Sequence, residues 1–153
     1  MEILNNIEWY FDNPKNAVVR DTRKKITKQH LATVVFAKLD NVENIKFCFP
    51  LNDDFTYTQT RELATPATVE QILTLIHKFY SEPLTKETID KSFGETIEGI
   101  ERKHDWQDNM MDCSHKLTNI DIFDDTCAPD FCGINLIETG ENAGEYFVGV
   151  GPE

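Results

Sequence analysis

At 153 residues and 17.6 kDa the chain has the length of one domain, residues 1–153, and enough material for a sizeable core. Its 40% apolar content and ten Phe argue against disorder. The net charge of -12 is uneven: residues 1–63 carry nine acids and nine bases, whereas residues 104–153 carry eleven acids against Lys116 alone, which argues against a nucleic-acid surface over that last third.

No apolar run reaches the length of a membrane span, and MEILNNIEWY lacks a basic region followed by an apolar stretch. The expectation is therefore a protein without a membrane anchor or signal peptide. Its four cysteines, Cys48, Cys113, Cys127 and Cys132, are then expected to be reduced thiols.

Ile7–Phe11 has the aromatic and β-branched composition of a strand, ended by the turn residues Asp12, Asn13 and Pro14. Ala17–Asp21 fits a second short strand. The five bases Arg20, Arg23, Lys24, Lys25 and Lys28 follow. Such a run reads as a solvated loop or an edge strand, where lysines discourage edge pairing. It also reads as a small patch for an acidic partner or for phosphate. The absence of interleaved aromatics counts against single-stranded nucleic acid.

Thr33–Lys38 and Ile45–Pro50 are expected to be the two arms of a hairpin, with turn chemistry from Asp40, Asn41, Glu43 and Asn44. Ile45, Phe47 and Phe49 alternate with Lys46 and Cys48, so one face should point into a core. Phe55 and Tyr57 alternate in a further candidate strand.

The segment Thr65–Tyr80 is the strongest helix signal. Val69, Ile72, Leu73, Ile76, Phe79 and Tyr80 share one face of a 3.6-residue period. Pro66 suits the first helical position with Thr65 as N-cap, while Thr68 and Gln71 offer an overlapping capping box. Pro83 places the stop near Ser81. Burial of this face would supply roughly 10–15 kcal/mol of transfer energy, and the helix needs a sheet or other helices to cover it.

Thr85–Arg102 predicts a second helix, with Thr85 as N-cap, Leu84 packing on Ile89, and Phe93, Ile97 and Ile100 on the inward face. Gly133–Glu138 and Glu145–Val150 predict two strands around the turn Thr139–Gly144. Together these elements predict an α+β fold: an antiparallel β-sheet with at least two α-helices packed on one face.

The pattern TP-x-TV-x-x-IL-x-x-I-x-x-FY-x-x-PLT from Thr65, then FCGI at Phe131–Ile134, then EYFVGVG at Glu145–Gly151, resembles an uncharacterised family of small proteins of giant nucleocytoplasmic DNA viruses. The resemblance spans about Thr65–Gly151. Where that family has an acidic residue beside the Gly, this chain has Cys132, so no charged site carries over. No chemistry is implied. The resemblance implies a viral protein of the host cytoplasm, in the viral factory, or of the virion.

Two clusters invite a metal reading. Cys113, His115, Cys127 and Cys132 are soft or borderline ligands suited to tetrahedral zinc, but C-x-H followed by C-x4-C is not finger spacing. The bland alternative is free thiols and a surface histidine. Asp105, Asp108 and Asp112 share a helical face that would suit Mg²⁺ or Ca²⁺, yet an ordinary solvated face looks the same and the EF-hand order is absent.

No G-x-S-x-G, phosphate loop or G-x-G-x-x-G occurs. Cys113 with His104 or His115 would make a thiolate pair only if the fold joined them. His30 and His77 read as structural, and Trp9 and Trp106 as core or interface anchors.

The expectation is thus a non-enzymatic interaction or assembly protein without a cofactor or metal. Its partner would be a viral or host protein, or a second copy, reached through Arg20, Arg23, Lys24, Lys25, Lys28 and Trp106. The competing readings are a metal- or Cys/His-dependent hydrolase and a nucleic-acid binder working through the basic run.

Overall fold

The computed structural model describes residues 2–38, 42–52, 55–93, 117–123 and 129–151, without the side chain of Phe93. The α+β expectation holds, with antiparallel-rich sheets and packed helices. The principal sheet has four strands in the order β6-β5-β9-β8, formed by β5 (Asn44–Pro50), β6 (Thr58–Ala64), β8 (Asp130–Leu136) and β9 (Tyr146–Gly151). Its neighbours are antiparallel except β5 and β9, which run parallel with Phe47 beside Tyr146 and Cys48 beside Phe147. A small sheet joins β1 (Ile7–Glu8), β2 (Val18–Val19) and β3 (Lys24–Lys25). The third pairs β4 (Val34–Phe36) with β7 (Ala67–Thr68).

The expected hairpin of Thr33–Lys38 with Ile45–Pro50 does not form. The second half of β5 is buried, so its backbone needs a partner on each side. The seven-residue β6 satisfies it along its full length, and β9 occupies the other side. The three-residue β4 pairs instead with the segment before the central helix, Val34 facing Thr68. The strand after β5 also begins later than the Phe55–Tyr57 pair: Phe55 adopts φ 60° outside it.

The central helix, α2, spans Val69–Ser81. The Thr65 start is not used. Thr65 extends the β5–β6 ladder, its N–H donating to the Glu43 carbonyl and its hydroxyl to the Val42 carbonyl, both at 2.9 Å. The overlapping capping box starts the helix: Thr68 Oγ1 accepts from the Gln71 N–H at 3.2 Å and Gln71 Oε1 accepts from the Thr68 N–H at 2.9 Å. The helix stops at Ser81, and the buried Asn119 side chain donates to the Phe79 carbonyl near its end.

All six residues of the expected α2 face are buried. Phe79 stacks on Phe49 with ring centroids 4.3 Å apart, and the buried Tyr80 hydroxyl donates to the Pro50 carbonyl at 3.0 Å. Phe11, Trp9 and Phe131 continue this aromatic layer through edge contacts. Phe47, Phe49, Ile72, Leu73 and Ile76 are in the core as expected. Ile97 and Ile100 lie outside the described residues.

Helix α3, Lys86–Phe93, has Thr85 Oγ1 accepting from the Thr88 N–H at 3.1 Å, with Leu84 and Ile89 both buried. The Ser92 carbonyl accepts from the Asn52 side chain, tying α3 to the segment after β5. A short helix, α1 (Lys28–Leu31), carries its own capping box of Thr27 and His30.

Candidate functional site

A concavity lies where β4, the start of β5 and the turn before β9 meet. Each wall follows from local sequence. Val34, Val35 and Phe36 favour extended backbone, and their pairing with β7 shifts register between Val34 and Phe36. The turn before β9 places Gly140 and Gly144 at positive φ, and closes with the Gly144 N–H on the Ile137 carbonyl at 2.8 Å. The resulting groove has a volume of about 680 Å³, within the usual range for ligand clefts.

Its apolar part comes from Val35, Phe36, Val42, Ile45 and Tyr146. Phe36 packs edge-on to Tyr146 at 4.8 Å and to Phe47 at 6.0 Å, which fixes the floor. Its rim is charged. Lys46 lies 3.8 Å from Glu62, Glu141 is exposed, and Glu145 accepts from the Thr60 hydroxyl at 3.2 Å. Among the described lining residues there is no Ser, Thr, Cys, His or Asp.

The groove also meets a strand edge. The Leu51 N–H donates to Tyr57, and that of Thr65 to Glu43, in the register of the β5–β6 ladder. Odd-numbered residues of β5 therefore aim their main-chain groups at β6, and Asn44 and Lys46 aim theirs to the other side. There β9 begins beside Phe47, so its first ladder bond takes the Lys46 carbonyl and leaves Asn44 ahead of the pairing. An extended segment entering the groove would thus meet both backbone polar groups and an apolar floor.

The basic run lies elsewhere, in the hairpin of the small sheet. Arg20, Arg23, Lys24, Lys25 and Lys28 are all exposed. Lys24 and Lys25 form β3, an edge strand, which fits the edge-strand reading. Arg23 adopts φ 56° in the turn, and Lys28 opens α1. Arg20 is partly committed to the fold, its Nε donating to the Ile7 carbonyl at 3.2 Å. Arg23, Lys24, Lys25 and Lys28 join no ion pair among the described residues.

Trp106, Cys113, His115 and Cys127 lie outside the described residues, as do His104, Asp105, Asp108 and Asp112. Cys132 is exposed on β8, its Sγ 3.7 Å from Asp130 Oδ1. Among the described residues no three His, Cys, Asp or Glu side chains gather to hold a metal. His30 Nδ1 completes the α1 cap, and His77 Nδ1 donates to the Phe11 carbonyl at 2.8 Å. Cys48 is buried, and that burial pushes its thiol above the ordinary range, against a Thr58 hydrogen bond that lowers it. A buried thiol held protonated is not an activated nucleophile.

Sequence reasoning missed the groove. The usable signal was Tyr146 at the head of the last strand, beside the apolar run that holds Val35 and Phe36. No helix among the described residues is long and apolar enough to cross a membrane. Compared with protein-family models, curated proteins and solved structures, the chain matches none.

Proposed function

We propose that this chain is a non-enzymatic protein-interaction or assembly protein whose groove takes an extended segment of a partner. The observation that carries this reading is the groove's make-up. It offers an aromatic floor, a strand end at Asn44 and a mixed-charge rim, with no nucleophile or imidazole among its described lining residues. Those are the elements of strand addition, in which main-chain bonds give affinity and apolar pockets give specificity. The resemblance of the Thr65–Gly151 motifs to a giant-virus family supplies the setting: a viral or host protein partner, in the viral factory of the host cytoplasm or in the virion. The exposed bases Arg23, Lys24, Lys25 and Lys28 add a second surface that complements an acidic partner.

Affinity capture from infected cells, run in parallel with wild type, Val35→Arg and Lys24→Glu, tests the proposal. Partners retained by Lys24→Glu and lost by Val35→Arg are the expected result. Capture indifferent to Val35→Arg refutes the groove as the site. Metal-dependent hydrolysis by the pure protein, abolished by Asp108→Asn or Cys113→Ser, overturns the non-enzymatic reading and favours the hydrolase.

A further inference from the structure

Strand β6 is the outer strand of the principal sheet. Among the described residues its only ladder partner is β5, so its far side joins no ladder. The opposite edge of the sheet is different: the Phe131 N–H of β8 donates to the Trp9 carbonyl at 2.8 Å, so the N-terminal segment covers it. The β5–β6 register sends the odd-numbered residues of β6 toward β5. Thr58, Thr60, Glu62 and Ala64 therefore direct their N–H and C=O groups outward. Arg61 Nη1 donating to the Thr60 carbonyl at 3.0 Å agrees with that orientation.

We infer that β6 pairs antiparallel with β6 of a second copy of this chain, on a two-fold axis at Thr60. This goes beyond the groove reading and uses a different strand edge. The register follows from two constraints. Only outward-facing residues can form the hydrogen-bonded pairs, so each even-numbered residue must face an even-numbered one. A two-fold axis spanning most of the strand then falls at residue 60, 61 or 62. An axis at 61 sets Arg61 directly against its copy, and an axis at 62 does the same to Glu62. Like charges directly opposite oppose pairing.

The axis at 60 avoids both. It sets Thr60 against Thr60 and Thr58 against Glu62. It also sets Gln59 against Arg61, a pair that already bonds at 3.3 Å within one chain. Two bonds for each of the pairs 58–62, 60–60 and 62–58 give about six across the interface. The result is an eight-stranded sheet continuous through two copies.

Each copy carries a net charge of -12, so long-range repulsion opposes the dimer. Salt screens that repulsion, while the main-chain bonds and the Gln59–Arg61 pair carry no net ionic attraction to lose. The dimer should therefore tighten as salt rises, the reverse of an association of basic and acidic surfaces.

Sedimentation equilibrium of the full chain across a concentration series, at low and high salt, tests the inference. The expected result is a monomer–dimer equilibrium strengthened by salt. Thr60→Pro removes an outward N–H that no ladder bond within the chain uses, and should abolish the dimer. Gln59→Arg should raise the dissociation constant about tenfold or more by facing Arg61, and Gln59→Glu should lower it. Gln59 would face Leu63 were the axis at 61, so these charge changes report the register without disturbing the core. A wild-type monomer at all concentrations overturns the inference. So does a dimer that survives Thr60→Pro or ignores both changes at Gln59. A groove that still captures partners from a monomeric chain would leave the proposed function standing alone.

Discussion

Gly133→Ala is a direct probe of how β8 is built. The β8–β9 register shifts between Phe131 and Ile134, and at this irregularity Gly133 adopts φ +95°. An L-residue held there costs of order 1–3 kcal/mol. An added methyl would also fall inside van der Waals contact of Asn5 Oδ1. That oxygen accepts the N–H of the buried Ile134 at 2.9 Å. Moving Asn5 aside leaves the amide unpaired, at a further cost of about 1–3 kcal/mol. The total of about 2–6 kcal/mol is a large share of the 5–15 kcal/mol that holds a typical domain together. Urea unfolding followed by tryptophan fluorescence measures it. Asn5→Ala alone should cost about 1–3 kcal/mol, since only the bond is lost. The double variant loses the bond once and has no clash, so its cost should fall below the sum of the singles by about 1 kcal/mol or more. A Gly133→Ala protein within about 0.5 kcal/mol of wild type, or strictly additive singles, would refute this account of the irregularity.

Four other outcomes are expected. Ile76→Ala, at a fully buried position of α2, should cost about 2–5 kcal/mol in the same assay. Thr68→Ala should cost about 0.5–2 kcal/mol by opening the capping box with Gln71, whereas Thr65→Ala should leave helix initiation untouched, as circular dichroism would report. Burial pushes the Tyr80 hydroxyl well above its ordinary range and the Cys48 thiol above its own. The unfolded chain therefore releases these protons first, so stability is fully present below about pH 8.5, the ordinary thiol value, and falls as pH rises through and beyond about 10; Tyr80→Phe should flatten the upper part of that fall in urea titrations. Elemental analysis of protein purified without added metal should find less than one zinc per chain, and a full equivalent lost on Cys127→Ser would reverse that expectation.

The elements legible in the sequence are those whose signal is local. The α2 face is a 3.6-residue pattern in one continuous stretch, and all six of its members are buried. The alternation Ile45, Phe47, Phe49 set the inward face of β5, and the Gly-rich turn set the β8–β9 pairing. The start of α2 was ambiguous because Thr65 and Thr68 both carry the chemistry of an N-cap. What decided it was remote: Glu43 and Val42 claim Thr65, leaving Thr68 to cap. Strand partnership has the same character. Composition marks β4 and β5 as strands, but which strands they join depends on length and burial elsewhere in the chain.

The groove was not legible for that reason. Its walls come from Val35–Ala37, Val42–Lys46 and Glu141–Tyr146, stretches that meet only because β9 runs parallel to β5 across about a hundred intervening residues. Parallel neighbours need a long crossover, and no local pattern announces which strand will return. The same pairing changes the meaning of the charge asymmetry. In the described part of the acidic last third, β9 lies inside the sheet beside β5, so that part is not a surface separate from the first third. Glu138 and Glu141 are exposed in the turn before β9, while Lys24 and Lys25 form the edge of a different sheet. A basic partner is thus directed to the mouth of the groove and an acidic one to the β3 hairpin. Glu141→Lys and Lys24→Glu should then select against different partners in one capture experiment, and a common set lost by both would mean that the two surfaces act as one.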